Sequence, residues 1–250
     1  MIDRRQFLKT ASVLTASAMV TSTSANSTTA TTHSTSNLFS TDVAETARDN
    51  TRASYRIIAL VFDDYETLDL HGPIEMLGHM PHAEIKLVAA SAIVKSYQGP
   101  RVVADGSLDN TYPCELLLIP GGIGTRKLVN DAQLLRWLSQ QVTVSQKVFS
   151  ICTGAALLAK TSVLNGYKAT TNKMAYQWVT SLNAQVLWQP KARWVDDGPF
   201  LTSSGVSAGT DAALYWVKQC HGIDEAKRIQ TLTEYHWIED ADNDIYATLT

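Results

Sequence analysis

The chain has 250 residues, 45% of them hydrophobic and 18% charged, which is enough apolar material for one large α/β domain or two small ones. Its 21 Lys and Arg face 24 Asp and Glu, a formal charge of -3, so no clustered basic excess marks a nucleic-acid surface. No stretch carries the roughly 20 apolar residues of a membrane span, and the mature chain is expected to bind neither nucleic acid nor membrane.

The N-terminus reads as an address. Asp3-Arg4-Arg5-Gln6-Phe7-Leu8-Lys9 is followed by a weakly apolar run, Ala11 to Val20, and by small residues ending near Ala25. A basic head, a short apolar stretch and a small-residue end make a signal peptide over residues 1–25. The paired arginines resemble a twin-arginine export signal, which carries folded proteins. From Thr21 to Ser36, 12 of 16 residues are Ser or Thr, and such a tract buries nothing. The sequence therefore predicts an exported, periplasmic protein with a flexible segment over residues 26–53 and one folded domain over residues 54–250.

From Tyr55 the pattern changes. Tyr55–Phe62 is a continuous apolar run suited to a strand buried on both faces. A helix is predicted at about Gly72–Met80, with Pro73 in its first turn. Ile85–Ala90 reads as a strand, and a hairpin over Ile93–Ala104 turns at Gly99-Pro100. Glu115–Ile119 is a second buried strand, leading into Pro120-Gly121-Gly122-Ile123-Gly124. A helix over Asp131–Val142, a strand over Lys147–Ile151 and a helix over Thr153–Lys160 follow. Next come a helix around Met174–Leu182 and strands near Val186–Trp188, Arg193–Val195 and Phe200–Ser203. Helices near Gly209–Gln219 and Asp224–Trp237 complete the reading. Strands alternating with helices imply an α/β fold with a mostly parallel sheet, and ligand sites in such sheets form beyond the strands' carboxyl ends.

Three of those strand ends carry chemistry. Phe149-Ser150-Ile151-Cys152-Thr153-Gly154-Ala155 is the strand–turn–helix pattern of a nucleophile elbow, with Gly154 and the alanines allowing close helix–sheet approach. The helix amides at this turn would favour thiolate over thiol at Cys152; a buried structural thiol is the alternative. Gly121 and Gly122 suit a loop whose backbone N–H groups face a developing negative charge, or a plain turn. Asp69, set between Leu68 and Leu70, is a carboxyl that partial desolvation would bring into acid–base range, unless it caps a helix or lies in solvent. His71 is tempting as a base. Cys114 and Cys220 read as buried small hydrophobes. The histidines are scattered without ligand spacing, so neither a metal nor a cofactor is expected.

Leu68-Asp69-Leu70-His71-Gly72-Pro73, Pro120-Gly121-Gly122, Ile151-Cys152-Thr153-Gly154, Lys168-Ala169-Thr170-Thr171, Ala192–Gly198 and Thr202–Asp211 occur in that order. Together they resemble the ThiJ/PfpI family of the class I glutamine amidotransferase-like superfamily, in its isonitrile hydratase branch. The resemblance covers about Tyr55 to Trp237. It implies a flavodoxin-like three-layer sandwich, a homodimer and a small-molecule substrate. It makes Cys152 the nucleophile, Asp69 its acid partner and Thr153 an auxiliary group. The Gly122 amide would lie beside the sulfur, with His71, Gly121 and Ser207 at the pocket.

Departures from the family pattern narrow the chemistry. Peptidase-like members carry His after the Cys, where this chain has Thr153. Many relatives read Ala-Thr-Thr-His where this one has Asn172, and His71 replaces a Thr often seen in the hydratases. No His follows Thr180 on a strand end to complete a Cys–His–Glu triad. The expected activity is cysteine-dependent addition of water to an isonitrile, giving an N-substituted formamide. The alternatives are glyoxalase- or deglycase-like chemistry on small aldehydes, or a non-enzymatic thiol-sensing or ligand-binding role. The short stretch after Trp237 leaves no room for a helix-turn-helix domain, which points away from a regulator.

Overall fold

Residues 54–250 are described by a computed structural model; the expected export signal and the Ser/Thr-rich segment lie outside the described residues. The first strand, β1 (Tyr55–Leu60), leads through a short loop into α1 (Thr67–Gly78). Then come β2 (Ala83–Ala89), a hairpin of β3 (Ile93–Lys95) and β4 (Arg101–Val103), and a two-residue β5 (Gly106–Ser107). β6 (Cys114–Ile119) is followed by α2 (Thr125–Leu128) and α3 (Ala132–Thr143), and β7 (Ser145–Ile151) by α4 (Gly154–Lys160). β8 (Lys168–Ala169), α5 (Tyr176–Ser181) and β9 (Leu187–Trp188) form a small excursion, in which β8 and β9 pair. β10 (Trp194–Asp197), β11 (Phe200–Ser203), α6 (Ala208–His221) and α7 (Ile223–Leu232) follow.

Seven strands form the main sheet in the order β10-β11-β7-β6-β1-β2-β5, with only β10 antiparallel to its neighbour. The central strands are apolar on both faces because helices cover both: Ile57, Leu60, Leu116, Leu118 and Phe149 have no exposed surface. From β1 the chain winds one way to β2 and the other way to β6, so the winding reverses between β1 and β6. Crevices open at such a reversal, beyond the carboxyl ends of the strands. The α/β flavodoxin-like fold read from the sequence is the one observed. Among the described residues no helix is long and apolar enough to cross a membrane.

Three expectations need correction. Helix α1 begins at Thr67, not near Gly72, so Asp69 sits in its first turn and Pro73 lies inside it. Helix α7 ends at Leu232; Trp237 lies beyond it, buried, with its indole N–H donated to the Asp211 carbonyl at 3.0 Å. Cys220 is exposed rather than buried, while Cys114 is buried on β6 as expected. The helical stripe reaching Cys220 runs past the edge of the apolar contact, which ends at Val217.

Candidate active site

Three chain segments meet at the reversal point. Asp69 comes from the first turn of α1, Gly121 and Gly122 from the loop after β6, and Cys152 and Thr153 from the turn between β7 and α4. Cys152 has φ of 56°, the left-handed region that a residue with a side chain enters only when its surroundings compel it. The compulsion is visible. Its N–H is donated to the carbonyls of Ser203 at 3.2 Å and Ser204 at 3.0 Å, at the end of β11, and its carbonyl accepts the Thr171 hydroxyl at 2.8 Å. Close approach on the other side demands glycine: a Cβ on Gly154 would stand 2.3 Å from the Ile119 carbonyl oxygen.

The glycine loop is threaded between the acid and the elbow. The Gly121 N–H donates to Asp69 Oδ2 at 2.9 Å, and a Cβ at Gly121 would meet the Thr153 amide nitrogen at 2.5 Å. The family resemblance implies a Gly122 amide beside the sulfur; in the structure that N–H is donated to Thr153 Oγ1 at 3.0 Å. Thr125, unnoticed in the sequence, completes this cluster, its hydroxyl lying 2.7 Å from the Gly122 carbonyl and 3.0 Å from Thr153 Oγ1. The amide acting on the sulfur is Thr153's own.

Asp69 has no exposed surface, and its Oδ1 is the only carboxyl oxygen among the buried side-chain atoms left without a partner in the described residues. Burial pushes this carboxyl up to about 8, against the opposing pull of the Gly121 amide and the Cys152 thiol. It therefore keeps its proton at neutral pH. Since Oδ2 accepts from Gly121, that proton falls to the unpartnered Oδ1.

Cys152 is 6% exposed, and burial, followed by the neighbouring Asp69 carboxyl, pushes its thiol well above the ordinary range. The Thr153 amide and hydroxyl pull the other way and are outweighed. This corrects the expectation of an anionic sulfur at rest. Helix-end amides favour a thiolate, but loss of water and an adjacent acid disfavour it more. The resting site is a neutral thiol beside a neutral acid.

A cavity of about 340 Å³ is lined by Leu68, next to Asp69, by Asn172, next to Thr171, and by Gly205, next to Ser204, so it lies one residue away from the groups that hold the pair without touching Asp69 or Cys152. Ser207 also lines it. Gly121 is packed under the acid, and His71 turns away: its Nδ1 lies 2.9 Å from the Thr67 carbonyl and its ring stacks on Tyr65. A second cavity, of about 290 Å³, is lined by Asp63, Ile123 and Lys127, and it likewise touches neither Asp69 nor Cys152.

Residues 55–219, which hold all three segments, match the DJ-1/PfpI family. The chain belongs to the DJ-1/PfpI family. An isonitrile hydratase from Pseudomonas putida is 30% identical over 177 residues, 70% of this chain and 76% of that protein. The HTH-type transcriptional regulator GbdR from Pseudomonas aeruginosa is 23% identical over 142 residues, 57% of this chain but 38% of the regulator. Among solved structures, a ThiJ/PfpI family protein from Pseudomonas syringae superposes with a TM-score of 0.68 at 28% identity, covering 73% of this chain and 76% of that one. Oxidised DJ-1 from Toxoplasma gondii, at 21% identity and a TM-score of 0.61, covers 74% of this chain and 100% of that one, and speaks to the fold alone. Within the DJ-1/PfpI family, then, the chain has relatives described as an enzyme and as regulators.

Proposed function

We propose that this chain is a cysteine-dependent hydratase that adds water to a small isonitrile and releases an N-substituted formamide. One observation carries the reading: Asp69 is fully buried against the Cys152 thiol with its Oδ1 unpartnered, a setting whose desolvation raises the carboxyl to about 8. The similarity to isonitrile hydratase supports the choice of substrate.

An isonitrile's terminal carbon holds a lone pair and becomes electrophilic once protonated. Asp69 gives its Oδ1 proton to that carbon as Cys152 Sγ attacks, and the thiol's proton returns to the carboxylate. The product is a thioimidate, S–CH=N–R. Asp69 next protonates the nitrogen while accepting a proton from attacking water, which forms a tetrahedral adduct. Collapse of that adduct breaks the C–S bond, forms the C=O bond and transfers the hydroxyl proton through Asp69 to sulfur. Thr153 steadies the sulfur throughout by its amide and hydroxyl. Because thiol and acid exchange protons within the pair, a resting thiolate is not required.

The full chain is incubated with para-nitrophenyl isocyanide and, separately, with methylglyoxal. The formamide is expected from the first and no lactate from the second. Cys152→Ala is expected to abolish formamide production; full turnover by that variant, or lactate in place of formamide, overturns the reading.

A further inference from the structure

The segment after α7 carries none of the motifs that mark the site, yet it builds part of the wall of the cavity that Leu68, Asn172 and Gly205 line, each one residue from a group of the Asp69–Cys152 site. Beyond Leu232 the chain returns past the start of β10, where the Ala241 carbonyl accepts the amides of Arg193 at 2.7 Å and Trp194 at 3.3 Å. Asp244 then anchors it. Its amide donates to the Lys191 carbonyl at 2.7 Å, its carboxylate accepts the Ser204 hydroxyl, and Arg193 Nη1 lies 3.7 Å away. Asp244 and Arg193 are 3% and 2% exposed, so the anchor is interior. From it the chain turns into a short 3-10 segment, Ala247–Leu249, which sets Tyr246 and Leu249 against the cavity.

Leu68, Met174 and Val206 share that lining. Leu68, Met174, Tyr246 and Leu249 are all exposed, an apolar rim that would gain from covering an apolar group. Two charged side chains share the lining, but both heads are occupied: Lys173 Nζ donates to Thr170 Oγ1 at 2.9 Å and to the Ala192 carbonyl at 2.6 Å, and Asp244 is held as above. Both side chains are buried and turned to the protein rather than to the opening, where the exposed lining is mostly apolar.

We propose that the C-terminal segment is a specificity element: Tyr246 and Leu249, with Leu68, Met174 and Val206, hold the uncharged aryl or bulky alkyl group on the substrate's nitrogen. The naming of that group rests on the hydratase reading; the pocket itself does not. Tyr246→Ala and Leu249→Ala alter half-exposed side chains and leave the Asp244 anchor in place, so both variants are expected to fold.

The first readout is the ratio of kcat/KM for para-nitrophenyl isocyanide to that for methyl isocyanide. It should fall by about tenfold or more in the double variant, since small contacts in an apolar pocket discriminate by roughly 10–200-fold. The second is independent of hydration: the relative rates at which N-phenylmaleimide and N-methylmaleimide alkylate Cys152, read by mass spectrometry of the Cys152 peptide. The same variant should lower that ratio in the same direction. If both ratios stay within about twofold of the parent chain, the inference is overturned even where hydration is robust. If the parent chain hydrates neither isonitrile but the maleimide ratio falls, the pocket stands and the hydratase reading fails.

Discussion

A carboxyl shut off from water, with one amide donor to help it, holds its proton far beyond the usual carboxylate range, up to about 8 for Asp69. Two consequences follow at this residue. Turnover that needs the neutral acid should be level at lower pH and fall about tenfold per unit above roughly pH 8. Folding responds over a wider window. An unfolded Asp titrates near about 3.9, so between there and about 8 the folded chain binds the extra proton, and stability declines as pH rises through that interval. Asp69→Asn keeps an acceptor for Gly121 and removes the titration. It should lower kcat by roughly 10²–10⁴-fold and flatten that part of the pH–stability curve. Urea midpoints measured at pH 5, 7 and 9 test this; parallel curves for the two proteins would count against a protonated Asp69. The acid could be singled out in the sequence from its flanking leucines, but desolvation, capping and solvent exposure all stayed open there; the structure selects burial, although Leu68 itself is exposed. The state of the sulfur was not legible. The helix amides at Cys152 could be read from the pattern, whereas its burial depends on Asp69 and on Ser203–Ser204, which are distant in the chain.

Among the elements, the turn from β7 into α4 depends on how closely α4 approaches the end of β6. Gly154→Ala would place a methyl group 2.3 Å from the Ile119 carbonyl and 3.0 Å from that of Pro120, and neither atom can swing aside. Such overpacking costs about 1–3 kcal/mol, expected as a lowered Tm together with lost turnover, because the elbow must shift. Gly78→Ala is the matched control. At the exposed end of α1 its methyl would touch only Ile85 Cδ1, at 3.5 Å, and helix propensity should raise stability by up to about 1 kcal/mol. Calorimetry on both variants decides the matter: equal melting of Gly154→Ala and the parent chain would disprove the close approach. The buried strands were readable because their apolar runs, such as Leu116–Ile119, admit no other placement. The start of α1 was misplaced because a proline usually marks a helix's first turn, whereas Pro73 falls inside this one.

Across the molecule, the last third of the chain is fastened to the sheet by an interior charge cluster. Arg193 Nε donates to Asp211 Oδ2 at 2.9 Å, Asp244 lies on the other side of the guanidinium, and Asp211 Oδ1 also accepts the Ile238 amide at 3.0 Å. Arg193→Met would strand two buried carboxylates without their cation, at a cost of about 3–5 kcal/mol. Urea unfolding should show the midpoint fall; a loss below about 1 kcal/mol would mean that the cluster is solvated. Arg193 and Asp211 fall in motif stretches legible in the sequence, but their meeting with Asp244 is not legible there: the three are 18 and 33 residues apart, and nothing in their spacing pairs them.

The Ser204 link has a consequence for biosynthesis. The carbonyl that orients the Cys152 amide belongs to a residue whose hydroxyl is clasped by Asp244, so position 152 is completed by something translated 92 residues later. A nascent chain stalled between the two would carry its thiol on an unfinished turn, and reactivity of that thiol should report when the ribosome has let residue 244 go.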